Sequence, residues 1–423
     1  MRQIARAANL GSRRAWLLRN RSQFGTTVAS QRPQLLVDVS AIIKHDAQTG
    51  IQRVVRSVWS ELARRSGQRF DAVPVYATAT HGYCYAPDNF LDRDAPVLPT
   101  IPVRVSPGDR FLALDLSAHL LPKYRAQLKA WRAYGATLHF VVYDLLPLLR
   151  PDWFSSAAVG HFRKWFQLLS DEADQAICIS DQVARDLREK LPRIVASPKP
   201  TIGHMDMGGD ISASEPSTGV CDDLAQLLDR FRFRPAILMV GTVEPRKGYD
   251  AALAAFERLW ASDVGEAPDL VIVGKSGWKT ERLQEKLRTH PERGRRLHWF
   301  DQMSDEGLCL LYDACRGVLM ASRAEGFGLP VIEAALHRRY VLARDLPVFR
   351  EQNLPNVSFF TNEAPLALAN DILALASRGQ KSPAPTVVLP TWSDSVDGLL
   401  QGMGLGSFKC EEGSSGLSKR TAS

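Results

Sequence analysis

What this chain of 423 residues lacks narrows its class before any motif is read. Nowhere do about eighteen apolar residues run together; the best stretch, Thr137 to Leu149, is broken by His139, Asp144 and Pro147, and no transmembrane helix is expected. The six cysteines are scattered, with no C-x-x-C pair and no Cys/His cluster at ligand spacing, which points to a reducing compartment and to no structural metal. No G-x-G-x-x-G follows a strand-like run, so a dinucleotide oxidoreductase is disfavoured. Gly274-Lys275-Ser276 spell the tail of a Walker A loop, but Asp269 stands where that loop needs glycine, and a P-loop nucleotidase is disfavoured too. Acidic residues are missing altogether from positions 1–33, which hold Arg2, Arg6, Arg13, Arg14, Arg19, Arg21 and Arg32. From Gln34 onward basic and acidic residues balance at 46 each, so the net charge of +7 belongs to this leader. The body has no excess charge with which to hold a polyanion, and no nucleic-acid partner is expected. The leader lacks the continuous apolar stretch of a secretory signal; it reads as a disordered leader, a helix lying on an anionic membrane surface, or an organellar transit peptide.

What is present is an ordinary globular composition, 45% hydrophobic and 23% charged, long enough for two cores. Short β-type runs alternate with helical patterns from residue 34. In the first half the strand candidates are Leu35–Val39, Val73–Ala77, Phe111–Leu116, Thr137–Tyr143 and Ala176–Ser180. The clearest helix runs from Thr49 to Arg65, where Ile51, Val54, Val55, Val58, Trp59 and Leu62 recur at three and four residues. A polar, Gly- and Ser-rich stretch from Asp206 to Gly219 reads as a linker. Alternation restarts beyond it, with strands at Ile237–Val240, Leu270–Val273, Leu297–Phe300, Val318–Met320 and Tyr340–Ala343. The expected α/β architecture is two Rossmann-like, doubly wound domains, 34–215 and 216–390, facing a cleft. A final helix at 391–403 and a disordered tail at 404–423 complete the expected division.

Two loops carry chemistry. Ser322 to Ala334 follows a strand candidate; Gly326 and Gly328 let backbone approach a ligand, and Pro330 sits where a helix can begin. The free N–H groups of such a helix start favour an anion. Glu325 and Glu333 bracket that point, and carboxylates accept from hydroxyls rather than binding phosphate, so a phosphate flanked by polyols is suggested. A nucleotide sugar has that layout. The other loop, Gly241 to Gly248, places Arg246 and Lys247 at a strand's C-terminal end, where adjacent cations can neutralise a diphosphate leaving group. Taken singly, each loop also reads as a capped glycine turn or a solvated basic turn.

The pair, in this order, resembles the retaining glycosyltransferases of the GT-B fold, family four, the group that includes bacterial mannosyl- and rhamnosyltransferases. The residues that carry the likeness are Glu244-Pro245-Arg246-Lys247-Gly248, the Glu325 to Ala334 run with its E-x7-E spacing, and Asp345 to Glu351. Asp38 to Ser40, Thr49 to Val55 and Tyr143 to Pro147 add to it. The resemblance implies that Glu325 contacts the donor sugar and Glu333 the ribose. It implies that Lys247, helped by Arg246, meets the diphosphate, and that the amides of Gly326, Phe327, Gly328 and Leu329 cradle it. Gly50 would approach from the other domain. By the same likeness no protein nucleophile, cofactor or divalent metal is expected. Two departures stand out: Tyr143-Asp144 where many relatives carry His-Asp at a sugar contact, and Thr242 where some carry arginine. The implied activity is transfer of a hexose, mannose from GDP-mannose as first guess, to a lipid-linked or polysaccharide acceptor. The implied location is the cytoplasm, with residues 1–33 a candidate contact to the inner membrane surface. A non-catalytic sugar-nucleotide-binding protein of the same fold is the alternative.

Overall fold

The computed structural model describes residues 32–406, apart from 47–48, 79, 93–97, 192–199, 212–215, 263–266, 380 and 386–387. The Arg-rich leader up to residue 31, and the tail from 407, therefore lie outside the described residues.

Among the described residues, thirteen strands form two sheets. The first comprises β1 (Gln34–Asp38), β2 (Asp71–Tyr76), β3 (Cys84–Tyr85), β4 (Arg110–Ala113), β5 (Thr137–Val142), β6 (Gln175–Cys178) and β7 (Thr201–His204), in the order β3-β2-β1-β4-β5-β6-β7. All its pairs are parallel except β2 with β3. The second comprises β8 (Ala236–Val240), β9 (Asp269–Val273), β10 (Leu297–Phe300), β11 (Gly317–Met320), β12 (Tyr340–Arg344) and β13 (Val357–Phe360), in the order β10-β9-β8-β11-β12-β13 and parallel throughout. Strand order reverses between β1 and β4 in one sheet and between β8 and β11 in the other. Those reversals open crevices beyond the strands' carboxyl ends, where doubly wound sheets take their ligands.

The interior strands are apolar because helices cover both faces of each sheet. In β9, for example, every residue is buried, and even Asp269 at its start is fully enclosed, held by Arg234 Nε at 2.7 Å and Arg230 Nη2 at 3.0 Å. The helix Gly50–Arg65 begins at a capping box between Thr49 and Gln52 and turns Val54, Val55, Val58 and Leu62 into the first core.

The chain does not stay in the second domain. Met205 and Met207 belong to the first core and Ile211 to the second, and the last helix, Trp392–Gly402, returns to pack Trp392, Val396 and Leu399 into the first core. Arg65 reaches Asp397 at 2.8 Å across that contact. The helical period of residues 391–401 marks the helix but not its destination. Three strands that the pattern did not reveal, β3, β7 and β13, are all sheet edges.

Candidate active site between the two sheets

A cavity of about 430 Å³ lies between the two domains, lined from the first by Gly50, Arg53, Tyr143 and Asp144 and from the second by Thr242, Arg246, Lys247, Gly326–Leu329 and Glu333. Its second-domain wall is made by the loops after β8 and β11. Gly241 opens the first loop at φ +137°, and a Cβ there would press on the Lys247 side chain at 3.2 Å. Tyr249 Oη donates to the Gly241 carbonyl at 2.5 Å. One turn of 3₁₀ helix, Pro245–Lys247, then carries both cations, and Gly248 at φ +68° leads into the helix Tyr249–Trp260. The two loops are joined through their backbones, Arg323 N donating to the Arg246 carbonyl at 2.7 Å.

Glu325 is the centre of this wall. Its carboxylate, 5% exposed, accepts from Arg246 Nη1 and Lys247 Nζ at 2.5 Å each and from Ser322 Oγ at 2.7 Å. Burial works against its charge, but Arg246 and Lys247 outweigh burial and hold its pKa down at about 2. The same burial lowers the pKa of Lys247, against the pull of Glu325. Arg246 keeps its proton: burial opposes the charge, and Glu325, Glu244 and Asp144 more than restore it. Its Nε also pairs with Glu244 at 2.8 Å. Asp144 and Glu244 shift the other way, burial raising both.

From Glu325 the chain enters the helix Leu329–Leu336 through Gly328 at φ +92°, with no side-chain cap. The N–H groups of Gly326, Phe327, Gly328 and Leu329 make no hydrogen bond among the described residues, while the carbonyls of Gly326 and Phe327 are held by Ser180 Oγ at 2.6 Å and Gln352 Nε2 at 2.7 Å. The loop thus presents four free donors at a helix start, an arrangement suited to phosphate. A Cβ at Gly326 would fall 2.0 Å from the Tyr143 carbonyl oxygen, so only glycine lets the two domains approach here. Gly50 meets the same loop, a Cβ on it falling 3.9 Å from Leu329 Cδ1.

Glu333 lies one turn inside the helix, 1% exposed, accepting from Tyr312 Oη at 2.6 Å and from Arg53 of the first domain. Tyr143 also lines the cavity, but its hydroxyl donates to the Leu114 carbonyl of its own domain at 2.8 Å. The Asp144 Oδ1 accepts from Leu146 N at 3.0 Å. Thr242 lines the cavity beside Gly241. The residues given a catalytic, donor-binding or sugar-contacting role by sequence therefore all line one cavity. Tyr312 and Asp305 belong to the same networks and stand in no motif, while Arg53, Glu244 and Ser322 stand in motifs that imply no role for them. Arg53 had one available signal, its place three residues after Gly50 on the same helix.

Residues 230–384 match the family described as "Glycosyl transferases group 1". The chain is 40% identical over 379 residues to the "Serotype-specific mannosyltransferase WbdA" of Escherichia coli, an alignment covering 88% of this chain and 46% of that protein. The chain thus spans about half the length of the curated relatives it matches. A shorter match, 37% over 100 residues, is to the "O-antigen chain mannosyltransferase B" of Escherichia coli, covering 23% of this chain and 25% of that one. Among solved structures, Anabaena Alr3699/HepE in complex with UDP and glucose superposes with a TM-score of 0.55 at 16% identity, covering 88% of this chain and 95% of that one. Sucrose-phosphate synthase from Thermosynechococcus elongatus gives 0.55 at 19% identity over the same shares. These likenesses are to the GT-B fold.

Proposed function

We propose that this chain, whose residues 230–384 match the glycosyl transferases group 1 family, is a hexosyltransferase that moves mannose from GDP-mannose to a lipid-linked or polysaccharide acceptor with retention of anomeric configuration. The observation that carries the reading is the Glu325 cluster: a buried carboxylate kept ionised by two cations, beside four amides at a helix start that have no hydrogen-bond partner among the described residues. The names of the mannosyltransferase relatives support the choice of sugar.

In this reading the donor diphosphate lies between the amides of Gly326–Leu329, Lys247 and Gly50, with ribose at Glu333 and the sugar at Glu325. Breaking the anomeric C–O bond leaves positive charge on the sugar and negative charge on the diphosphate. Lys247, Arg246 and the amides are fixed where the negative charge develops, and so lower the barrier without reorganising. The acceptor hydroxyl attacks from the leaving-group face and passes its proton to the departing phosphate. Glu325, ionised, faces the developing cation. The protein supplies no covalent nucleophile, and with two cations in place neither a cofactor nor a divalent metal is part of the proposal. The acceptor would bring the enzyme to the inner face of the cytoplasmic membrane, where residues 1–33 have an anionic surface to meet.

The purified protein, given GDP-mannose and mannose-terminated acceptor oligosaccharides, is expected to release GDP and extend the acceptor by an α-linked mannose, with or without EDTA. Binding of GDP without turnover across that acceptor panel would instead favour a non-catalytic nucleotide-sugar-binding protein.

A further inference from the structure

The role given to Glu333 leaves a charge to be answered. Its carboxylate is 1% exposed, and the hydroxyls of a ribose are neutral donors: they fill lone pairs but cancel no charge. A buried carboxylate needs a counter-ion. Among the described residues the cation that meets Glu333 is Arg53, whose Nη1 donates to Oε1. Arg53 stands on the opposite domain, one helical turn after Gly50.

The second arm of the guanidinium is also engaged. Arg53 Nη2 donates to Asp305 Oδ1 at 2.9 Å, and Asp305 Oδ2 accepts from Ser217 N at 3.0 Å and Ser217 Oγ at 2.9 Å. Ser217 lies on the segment by which the chain enters the second domain. One planar fork therefore holds the ribose-side carboxylate and the anchor of the interdomain segment together. Burial opposes the Arg53 charge, and Glu333 with Asp305 more than restores it, so the fork stays cationic.

This pairing leaves room for a ligand. A carboxylate offers about four lone-pair sites. Tyr312 Oη takes one on Oε2 and Arg53 one on Oε1. The remainder matches the two donors of a ribose diol. Arg53 and ribose are complementary partners of Glu333, not competitors.

We infer that Arg53 is a positioning residue for the nucleoside half of the donor: from the first domain it supplies the counter-charge and orientation that let Glu333, in the second, bind a ribose diol. Nucleoside recognition then needs both domains. The inference rests on the reading of Glu333 as the ribose anchor, and one experiment separates the two.

Calorimetry on the full chain compares GDP, UDP and ADP with their 2′-deoxy counterparts, keeping the pair whose ribo form binds most tightly. The wild-type protein is expected to prefer the ribo form by about tenfold or more, as for a hydrogen bond to a charged group. Arg53→Ala should weaken the ribo form by about tenfold and the deoxy form by less than about threefold, collapsing the preference. Arg53→Lys, which keeps the charge but loses the fork, should reduce the preference about threefold. It also carries the test should the alanine variant fail to fold. Equal weakening of both forms would assign Arg53 a general electrostatic or structural role and overturn the inference, as would tighter binding by Arg53→Ala. A wild-type protein that does not distinguish ribo from deoxy would remove Glu333 from the ribose and take the inference with it. Absence of binding by all three diphosphates would overturn the nucleotide-donor reading itself.

Discussion

Each domain buries carboxylates at the same topological place, the carboxyl ends of its two central strands, and Glu325 in the second has the opposite chemistry to Asp38 and Asp115 in the first, while the pKa of Glu244 beside it is raised by burial as theirs are. In the first domain Asp38 ends β1, Asp115 follows β4, and both are surrounded by neutral donors. Asp38 accepts from Ser40 N at 3.0 Å, Ser40 Oγ, Tyr83 Oη at 3.1 Å and Ser117 Oγ at 2.9 Å. Asp115 accepts from Ala41 N and Ile42 N at 2.7 Å each. Burial outweighs these bonds and, for Asp115, the Asp38 charge adds to it, so their pKa values rise to about 6 and about 7. In the second domain two cations reverse the outcome at Glu325, at about 2. The fold thus gives both domains a place for buried acid; local partners decide whether it is a brace for the Ser40–Ile42 loop, its pKa raised by burial, or a fixed charge facing the cavity.

The contrast breaks most severely at Lys247. Lys247→Ala removes one of the two cations on Glu325 and a charge proposed to meet the diphosphate. Transfer should fall about 10²- to 10³-fold, the range for deleting one preorganised donor to a developing anion. Arg246 still pairs with Glu325, so the circular dichroism spectrum and cooperative melting should persist. Full activity in a folded Lys247→Ala protein would remove this loop from the chemistry.

The first-domain pair should be felt in stability, with a sign opposite to that of Glu325. Carboxyls whose pKa is raised by folding hold protons that the unfolded chain has released. Stability therefore falls as pH climbs from about 4 to about 7. Glu325, with its pKa lowered, contributes stability present above its ordinary value of 4.5 and lost as pH falls toward 2. Asp115→Asn removes the acid but keeps the shape. It should flatten the decline between pH 5 and 7 by roughly 2 kcal/mol, read by urea unfolding at each pH, while transfer changes little. An unchanged slope would mean that the pair is ionised throughout.

What could be read in the sequence follows the same physical division. Interior parallel strands such as Asp269–Val273 are legible because both faces are covered, and glycines with paired charges at strand ends mark the loops that approach a ligand. The strands β3, β7 and β13 are short edge strands of two to four residues, with too few positions for a pattern to stand out, and β7 is half-exposed or exposed throughout; the edge strand β10 was nonetheless legible. Arg53 was passed over for a different reason. Its partners Glu333 and Asp305 lie 280 and 252 residues away, and one arginine on a helix carries no local mark of an ion pair made across a cleft. The return of Trp392 to the first core is hidden in the same way, since helical period names an apolar face but not what covers it.

Tyr143 stands between the two carboxylate sets and gives the smallest but most discriminating test. Its backbone carbonyl abuts Gly326 of the second domain, while its hydroxyl donates to the Leu114 carbonyl. Burial first, then the Asp115 charge, raises its pKa well above the usual tyrosine value, so the hydroxyl remains a donor at every working pH. The position at which the resembling family often has a sugar-contacting histidine thus holds, here, an aromatic whose polar atom is committed to its own domain. Tyr143→Phe should cost about 1 kcal/mol of stability for one buried hydrogen bond and leave kcat and donor KM within about twofold. A tenfold fall in kcat with unchanged stability would instead place the hydroxyl on the donor sugar, and Tyr143 would then belong with Glu325 rather than with Asp38 and Asp115.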